Sequence, residues 1–306
     1  MAAPGNALAN RPLAAAGMIL IYAGLIGFTD NYVRVIAAEG GLWQFHALRS
    51  ALALALIGLI AWPLALRLRP RDARAVALRS GLHGTAIIIY FGCLAFLPVP
   101  QVAAGLFSAP IFVLLFTRFA FGHRIGPFRI VAVGLGFLGI VLVLAPGSEA
   151  PIGLVSVLPV AAAVLYALGN IATREWCAGE STAVLTLGFF LALGILGLAG
   201  MAALALWPQP APAGAAGFVT RGTVLPTGPF LFWTVVQAAG SLAAIAAMVR
   251  GYQLAEASRV AVFEYSVLPA AALWGWLLWS EVPGPREALG MALIVGAGAI
   301  IALRAR

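Results

Sequence analysis

Ten stretches of roughly 20 mainly apolar residues recur along this chain, and that recurrence limits its fold more than any other feature. A helix needs about 20 such residues to cross the hydrocarbon of a bilayer. The stretches lie near 13–36, 43–66, 80–97, 101–121, 128–145, 152–172, 183–207, 228–250, 259–280 and 286–303. Residues are 63% hydrophobic and only 9% charged, where a soluble domain carries about 25% charged residues. No water-soluble fold of this length hides so much apolar surface. In hydrocarbon the backbone must satisfy its own hydrogen bonds, so the expected fold is all-α, a multi-pass bundle of ten transmembrane helices in the inner (plasma) membrane. Most connections are short and hold Gly, Pro or charge. The exception, 208–227, is rich in Pro, Gly and Ala and reads as a flexible surface loop.

All 18 basic residues are Arg, which with so much Ala, Gly and Leu reads as the codon bias of a GC-rich genome. Their placement sets the expected orientation, because cytoplasmic loops collect positive charge. With the N-terminus inside, the inner loops hold Arg11, Arg67, Arg69, Arg71, Arg74, Arg79, Arg118, Arg124, Arg129, Arg174, Arg250, Arg259, Arg304 and Arg306. The outer loops hold only Arg221 and Arg286, and both termini fall on the cytoplasmic side. The net charge of +8 therefore marks topology and predicts no nucleic-acid partner. Cys93 and Cys177 fall in or near different segments, which argues against a disulfide framework. His46, His83 and His123 lack metal-ligand spacing, and no phosphate-binding loop is present, so neither a metal nor a cofactor is expected.

A weak internal repeat is the second constraint. Leu97-Pro98-Val99-Pro100-Gln101-Val102-Ala103 leads into Ser108-Ala109-Pro110, and Ala255-Glu256-Ala257-Ser258-Arg259-Val260-Ala261 leads into Ser266-Val267-Leu268-Pro269. Each segment ends in a polar turn, Gly122 to Pro127 in one case and Ser280 to Pro285 in the other. A Gly-rich segment follows each. The offset of about 158 residues spans five segments, so the halves 1–148 and 149–306 would insert with opposite orientation. The loop 208–227 would then be extracytoplasmic.

These residues resemble the EamA-type members of the drug/metabolite transporter superfamily, which are built of two five-helix repeats. Pro110 and Pro269 stand where that family tends to have a proline in the fourth helix of each repeat. The family's Gly-Glu pair in the next turn is absent from the first half, which has Gly122-His123, while the second keeps Glu281. Phe28 to Arg34 and Gln44 to Ser50 resemble a subgroup that includes carriers of S-adenosylmethionine and riboflavin. The resemblance implies alternating access, with segments 1, 3, 4, 6, 8 and 9 around a central cavity. Segments 5 and 10 would lie at the periphery or at a homodimer contact.

Charges inside hydrocarbon are costly and face cavities or one another. Asp30 and Arg34 are four apart and able to pair, with Asn31 between them; Arg49 sits near the outer end of segment 2. They form either an outer gate or a structural lock between segments 1 and 2. Glu264 lies about six residues, or roughly 9 Å, into segment 9, with Tyr265 beside it. It is either a proton-coupling acid or a partner for Arg250 or Arg259. His46 reads as a residue near the outer surface. Trp233, Gln237 and Ser241 share a face of segment 8, and Tyr90, Tyr166 and Asn170 add polar and aromatic groups on segments 3 and 6. Such a lining suits an amphipathic or planar solute; the alternative is hydrogen bonding between helices. The function expected is secondary transport of a small organic metabolite (amino acid, nucleoside-like or vitamin-like), open to proton coupling. An intramembrane enzyme would need clustered reactive groups, and a non-transporting scaffold would not need polar residues at mid-segment.

Overall fold

The computed structural model describes residues 11–93, 97, 99–120, 122, 124–144 and 157–303. Pro98, His123, the 148/149 boundary, Arg304 and Arg306 lie outside the described residues. Among the described residues every regular element is helical: α1 (Pro12–Asp30), α2 (Val33–Glu39), α3 (Leu42–Ala61), α4 (Ala73–Cys93), α5 (Val99–Leu106), α6 (Ala109–Phe119), α7 (Pro127–Leu144), α8 (Leu158–Glu175), α9 (Thr182–Leu206), α10 (Gly228–Leu254), α11 (Ala257–Glu264), α12 (Val267–Trp279) and α13 (Pro285–Leu303). A 3₁₀ turn at Gly214–Gly217 interrupts the long loop. Among the described residues, seven segments are long and apolar enough to cross a membrane, two of them composite: Pro12–Glu39 and Ala257–Trp279.

Three apolar stretches expected as unbroken helices are each interrupted. The first breaks at Asn31-Tyr32, the fourth at Phe107-Ser108 and the ninth at Tyr265-Ser266. Proline supplies the cause in two of them, since it lacks the N–H that would bond one turn back. Pro110 follows Ser108 and Pro269 follows Ser266. The serine hydroxyls recover the loss in the same way: Ser108 Oγ donates to Gly105 O and Ser266 Oγ to Phe263 O, both at 2.6 Å. At the first break the Asn31 amide donates to Gly27 O at 2.7 Å and across to Ala271 O on α12 at 3.2 Å.

Glycine sets how closely the helices approach. α7 packs along α13, α3 along α9, α1 along α10 and α4 along α8. A Cβ on Gly139 would lie 2.6 Å from Gly290 O, and one on Gly197 would lie 2.7 Å from Ala47 N. Gly200 leaves room for the Trp43 indole. The opposite face of α9 presents Leu191, Ile195 and Leu198 outward, as a lipid-facing surface requires.

The two ends of the bundle differ in chemistry. At one end Glu180 accepts the N–H groups of Arg71 and Asp72, at 2.6 and 2.8 Å, and Asp72 caps α4 by accepting from Arg74 N and Ala75 N. Arg129 pairs with Glu256 at 2.6 Å at this arginine-rich end. The loop 208–227 covers the other end. It is docked, contrary to the flexible reading: Phe218 is buried, Gln44 exchanges two bonds with Val224, and the Arg221 guanidinium donates to the carbonyls of Ala37, Gly40, Pro212 and Gly214. A single arginine fork thus replaces the hydrogen bonds that a Pro- and Gly-rich segment cannot make within itself.

The α7–α13 contact makes a direct test. Gly139→Ala should lower the thermal midpoint in detergent, at a cost of about 1–3 kcal/mol, the range for overpacking. Gly134, with nothing within 4 Å of a built Cβ, should tolerate Ala or gain up to about 1 kcal/mol from helix propensity.

Candidate functional site

Each helix break carries a side chain to one internal space. Asp30 is the last residue of α1, Phe107 sits at the α5–α6 break, and Glu264 is the last residue of α11. All three line a central chamber of ≈ 80 Å³ with Tyr22, Arg49, His83, Tyr90, Tyr166 and Met248. Space of this size holds a few water molecules. A second cavity of ≈ 390 Å³ lies at the loop end, lined by Asp30, Asn31, Arg34, Tyr90, Phe91 and Phe218. Asp30, Tyr90 and Phe91 belong to both, so the larger cavity is a vestibule to the chamber.

Asp30 and Arg34 do not pair. The break at Asn31-Tyr32 removes the four-residue spacing of a continuous helix. Asp30 instead accepts from Gln237 Nε2 at 3.1 Å, while Arg34 bonds Glu281 at 2.9 Å and stacks over Trp279 at 3.9 Å. The Arg34 pair is half-exposed, and exposed pairs contribute at most about 1 kcal/mol. Trp233 lies outside the chamber lining and stacks on Tyr32, with ring centroids 3.4 Å apart. It braces the same break.

Arg49 is buried rather than interfacial. Its guanidinium faces the Phe45 ring at 5.2 Å, and among the described residues its Nε has no partner and no carboxylate lies within ion-pair distance. His46 is fully buried between Phe45 and Phe91, away from any surface. Neither of its ring nitrogens has a partner among the described residues.

Glu264 does not reach Arg250 or Arg259; Arg259 lies 3.6 Å from Glu256. The amide of Asn170 donates to Glu264 Oε1 at 3.2 Å and to the Tyr252 hydroxyl at 3.0 Å. Tyr166 and Tyr252 hydroxyls lie close to the same carboxylate. Tyr166 also donates to Met248 Sδ at 3.0 Å and meets the Tyr22 hydroxyl at 3.4 Å. Tyr265 points away from the chamber. Its ring fills the space that a Cβ on Gly136 would take, so it joins α11 to α7.

Of the residues singled out from sequence, the structure places Asp30, Arg49, Tyr90, Tyr166 and Glu264 in the chamber wall, with Ser241 beside them. Asn31 and Arg34 line the vestibule, and Gln237 stands behind Asp30. Sequence reasoning passed over Tyr22, Phe107 and Met248, and it gave His83 too little weight. Phe107 had a usable signal, the Ser-x-Pro break that follows it; Tyr22 and Met248 had none. Segments 2 and 7 join the lining through Arg49 and Phe189, beyond the six that the family resemblance implies.

No family model matches the chain. The riboflavin transporter of Rhizobium johnstonii is 32% identical over 210 residues, which is 68% of this chain and 63% of that protein. The chain thus spans less than two thirds of that relative's length. The riboflavin transporter of Vibrio cholerae is 28% identical over 71% of this chain and 67% of its own. The pseudopaline exporter of Pseudomonas aeruginosa is 26% identical over 90% of this chain and 93% of its own. A solved crystal structure superposes with a TM-score of 0.77, covering 97% of this chain and 99% of that one at 18% identity, a likeness of fold. With seven apolar segments long enough to span among the described residues, the chain is a multi-pass protein of the plasma membrane.

The chamber is the smaller of the two cavities, and Met248 in its wall is fully buried. After Cys93→Ala and Cys177→Ala, a cysteine in place of Val33 should react with a water-soluble maleimide at least tenfold faster than one in place of Met248. Equal rates at both positions would show that the chamber is as open as the vestibule.

Proposed function

We propose that this protein is a secondary transporter of the EamA type, within the drug/metabolite transporter superfamily, that moves a small organic metabolite by alternating access. The observation that carries the reading is the small chamber at the helix breaks, which shares Asp30, Tyr90 and Phe91 with a larger vestibule. A chamber of ≈ 80 Å³ is too small for a metabolite, where ligand sites usually measure about 300–1,000 Å³. The state described is therefore nearly closed, and a solute enters only when the halves move apart.

Ten spans follow if the broken pairs α1–α2, α5–α6 and α11–α12 each cross once. They form two inverted five-helix repeats, 1–148 and 149–306, and several correspondences 158 residues apart support this. Ser108 and Ser266 make the same hydroxyl bond. Gly122 and Ser280 both take left-handed backbone, at φ 67° and 58°. Pro127 and Pro285 each open a helix. The packing is interchanged as a two-fold relation requires: α1 on α12 answers α8 on α6, and α1 on α10 answers α8 on α4. The arginine-rich end is cytoplasmic, with both termini on that side, and the loop 208–227 is external. Arg71, Arg129 and Arg174, assigned to the same side from sequence, do gather at one end. α7 and α13 stay out of the chamber wall and present Leu138, Val141, Leu289 and Val295 outward, a surface for lipid or a second copy.

The solute is planar or amphipathic. Tyr22, Tyr90, Phe91, Phe107, Tyr166 and Phe189 surround the chamber, and such rings take flat or cationic groups. Arg49 offers a two-pronged donor to a carbonyl or carboxylate. Asp30 and Glu264 are the coupling acids. Riboflavin, named for the relatives from Rhizobium johnstonii and Vibrio cholerae among others, is the first compound to test, and amino-acid derivatives rich in carboxylates are the second.

Purified protein in lipid vesicles should move riboflavin, read by its fluorescence, or a compound of the second group, faster than empty vesicles. Asp30→Asn and Glu264→Gln should each cut that flux at least tenfold with the thermal midpoint retained. Flux equal to that of empty vesicles for both groups and for S-adenosylmethionine would sink the transport reading.

A further inference from the structure

His83 lies midway along α4, fully buried, with both ring nitrogens against hydrogen-bond acceptors. Nδ1 is 3.2 Å from the backbone carbonyl of Arg79, and Nε2 is 2.8 Å from the amide oxygen of Asn170. The Asn170 amide nitrogen faces Glu264 and Tyr252. The chain is cut to fit this imidazole: a Cβ on Gly169 would lie 2.3 Å from its Nδ1.

Two closures place a single proton on the pair of His83 and Glu264. A backbone carbonyl only accepts, so Nδ1 must carry a hydrogen. With the amide oxygen towards it, Nε2 must carry one as well. His83 is then an imidazolium, and the amide NH₂ donates to an ionised Glu264. With the amide turned over, its NH₂ donates to a bare Nε2 and its oxygen faces Glu264, which must be protonated to donate. The two amide orientations have the same shape, and the Tyr252 hydroxyl serves either as donor or as acceptor. Both arrangements hold one proton on the pair of His83 and Glu264. With no proton on either, lone pairs oppose each other at one contact.

We infer that His83, Asn170 and Glu264 form a single proton-holding unit, in which the orientation of Asn170 ties the charge of Glu264 to that of His83. This deepens the transport reading, because the unit lies in the chamber wall. A solute cation against Glu264 favours the ionised carboxylate, and the amide then presents its oxygen to an imidazolium. The proton exchanges through the chamber, since an amide does not pass one along. His83 and Asn170 are thus positioning residues for the coupling acid.

The surroundings set the balance. Facing His83 are Arg79 on its own helix, Tyr166 and Asn170 on α8, and Phe189 on α9. Arg79 is fully buried; it donates to Thr173 Oγ1 at 2.9 Å and Leu185 O at 3.0 Å and has no carboxylate partner among the described residues. Facing Glu264 are Asn170 and Tyr166 on α8, Tyr252 on α10 and Tyr22 on α1. Asp30 and Arg49 stand at the far end of the same chamber.

Infrared spectra across a pH series read the protonated carboxyl of Glu264, identified by its loss in Glu264→Gln. His83→Gln keeps an amide that meets Asn170 in either sense, and it should shift the carboxyl midpoint by at least one pH unit, a tenfold change in proton affinity. An unmoved midpoint in folded His83→Gln overturns the inference. In the unmutated protein, nitrogen resonance signals of the His83 ring should change at the same midpoint as the carboxyl. Midpoints more than one unit apart overturn it independently of any variant. Neither measurement involves flux, so a failed transport assay and a failed proton unit are told apart.

Discussion

Hydrocarbon offers no hydrogen-bond partner to a peptide group, and the architecture of this protein follows from how it meets that constraint where its helices break. Each unpaired group at membrane depth costs several kcal/mol, so a break survives only with a local substitute. Asn31 supplies an amide, and Ser108 and Ser266 supply hydroxyls. The breaks are also where the helix axis changes direction and leaves a gap in the packing. Asp30, Phe107 and Glu264 occupy the three gaps, which is why the polar residues of the chain converge on one chamber rather than scatter over the bundle.

The rest of the bundle makes the gaps affordable. Gly139 against Gly290, and Gly197 against Ala47, bring backbones into contact along whole helices, where dispersion and small-residue packing replace the hydrophobic effect that drives soluble folding. Two buried arginines stand apart from this pattern. Arg79 has two oxygen acceptors and Arg49 a ring face, but among the described residues neither has a carboxylate within ion-pair distance. An uncompensated guanidinium inside a membrane protein is costly unless a cavity or ligand shares the charge. Arg49 borders such a cavity.

Much of this was legible in the sequence, for one physical reason: hydrophobic length and arginine placement are local properties. The seven spans found among the described residues, the gathering of Arg71, Arg129 and Arg174 at one end, and the Gly-rich packing helices all follow from them, whereas Arg79, read as an inner-loop residue, lies buried within α4. Contacts between segments do not. The pairing of Asp30 with Arg34 presumed an unbroken helix, and nothing near Asn31 announces a break, since no proline is present. Glu264 was matched to Arg250 or Arg259 by nearness along the chain, whereas its partner Asn170 comes from α8, 94 residues away. His83 shows no periodic signal of its role; its partner is a helix surface made accessible by Gly169. The loop 208–227 misled because composition reports what a segment cannot bond to within itself, not what Arg221 bonds for it.

Arg221 ties the carbonyls that end α2 to the 3₁₀ turn of that loop. The short helix α2 and the loop 208–227 are therefore tied into one flap. It is hinged at Asn31-Tyr32 and anchored on the far side where Trp43 and Gln44 hold Val219 and Val224. A flap held at both ends cannot swing freely; it can only rise with the helices that carry its anchors, α3 and α10. Widening of the vestibule is then a movement of whole helices, and the loop acts as a strap that sets its limit.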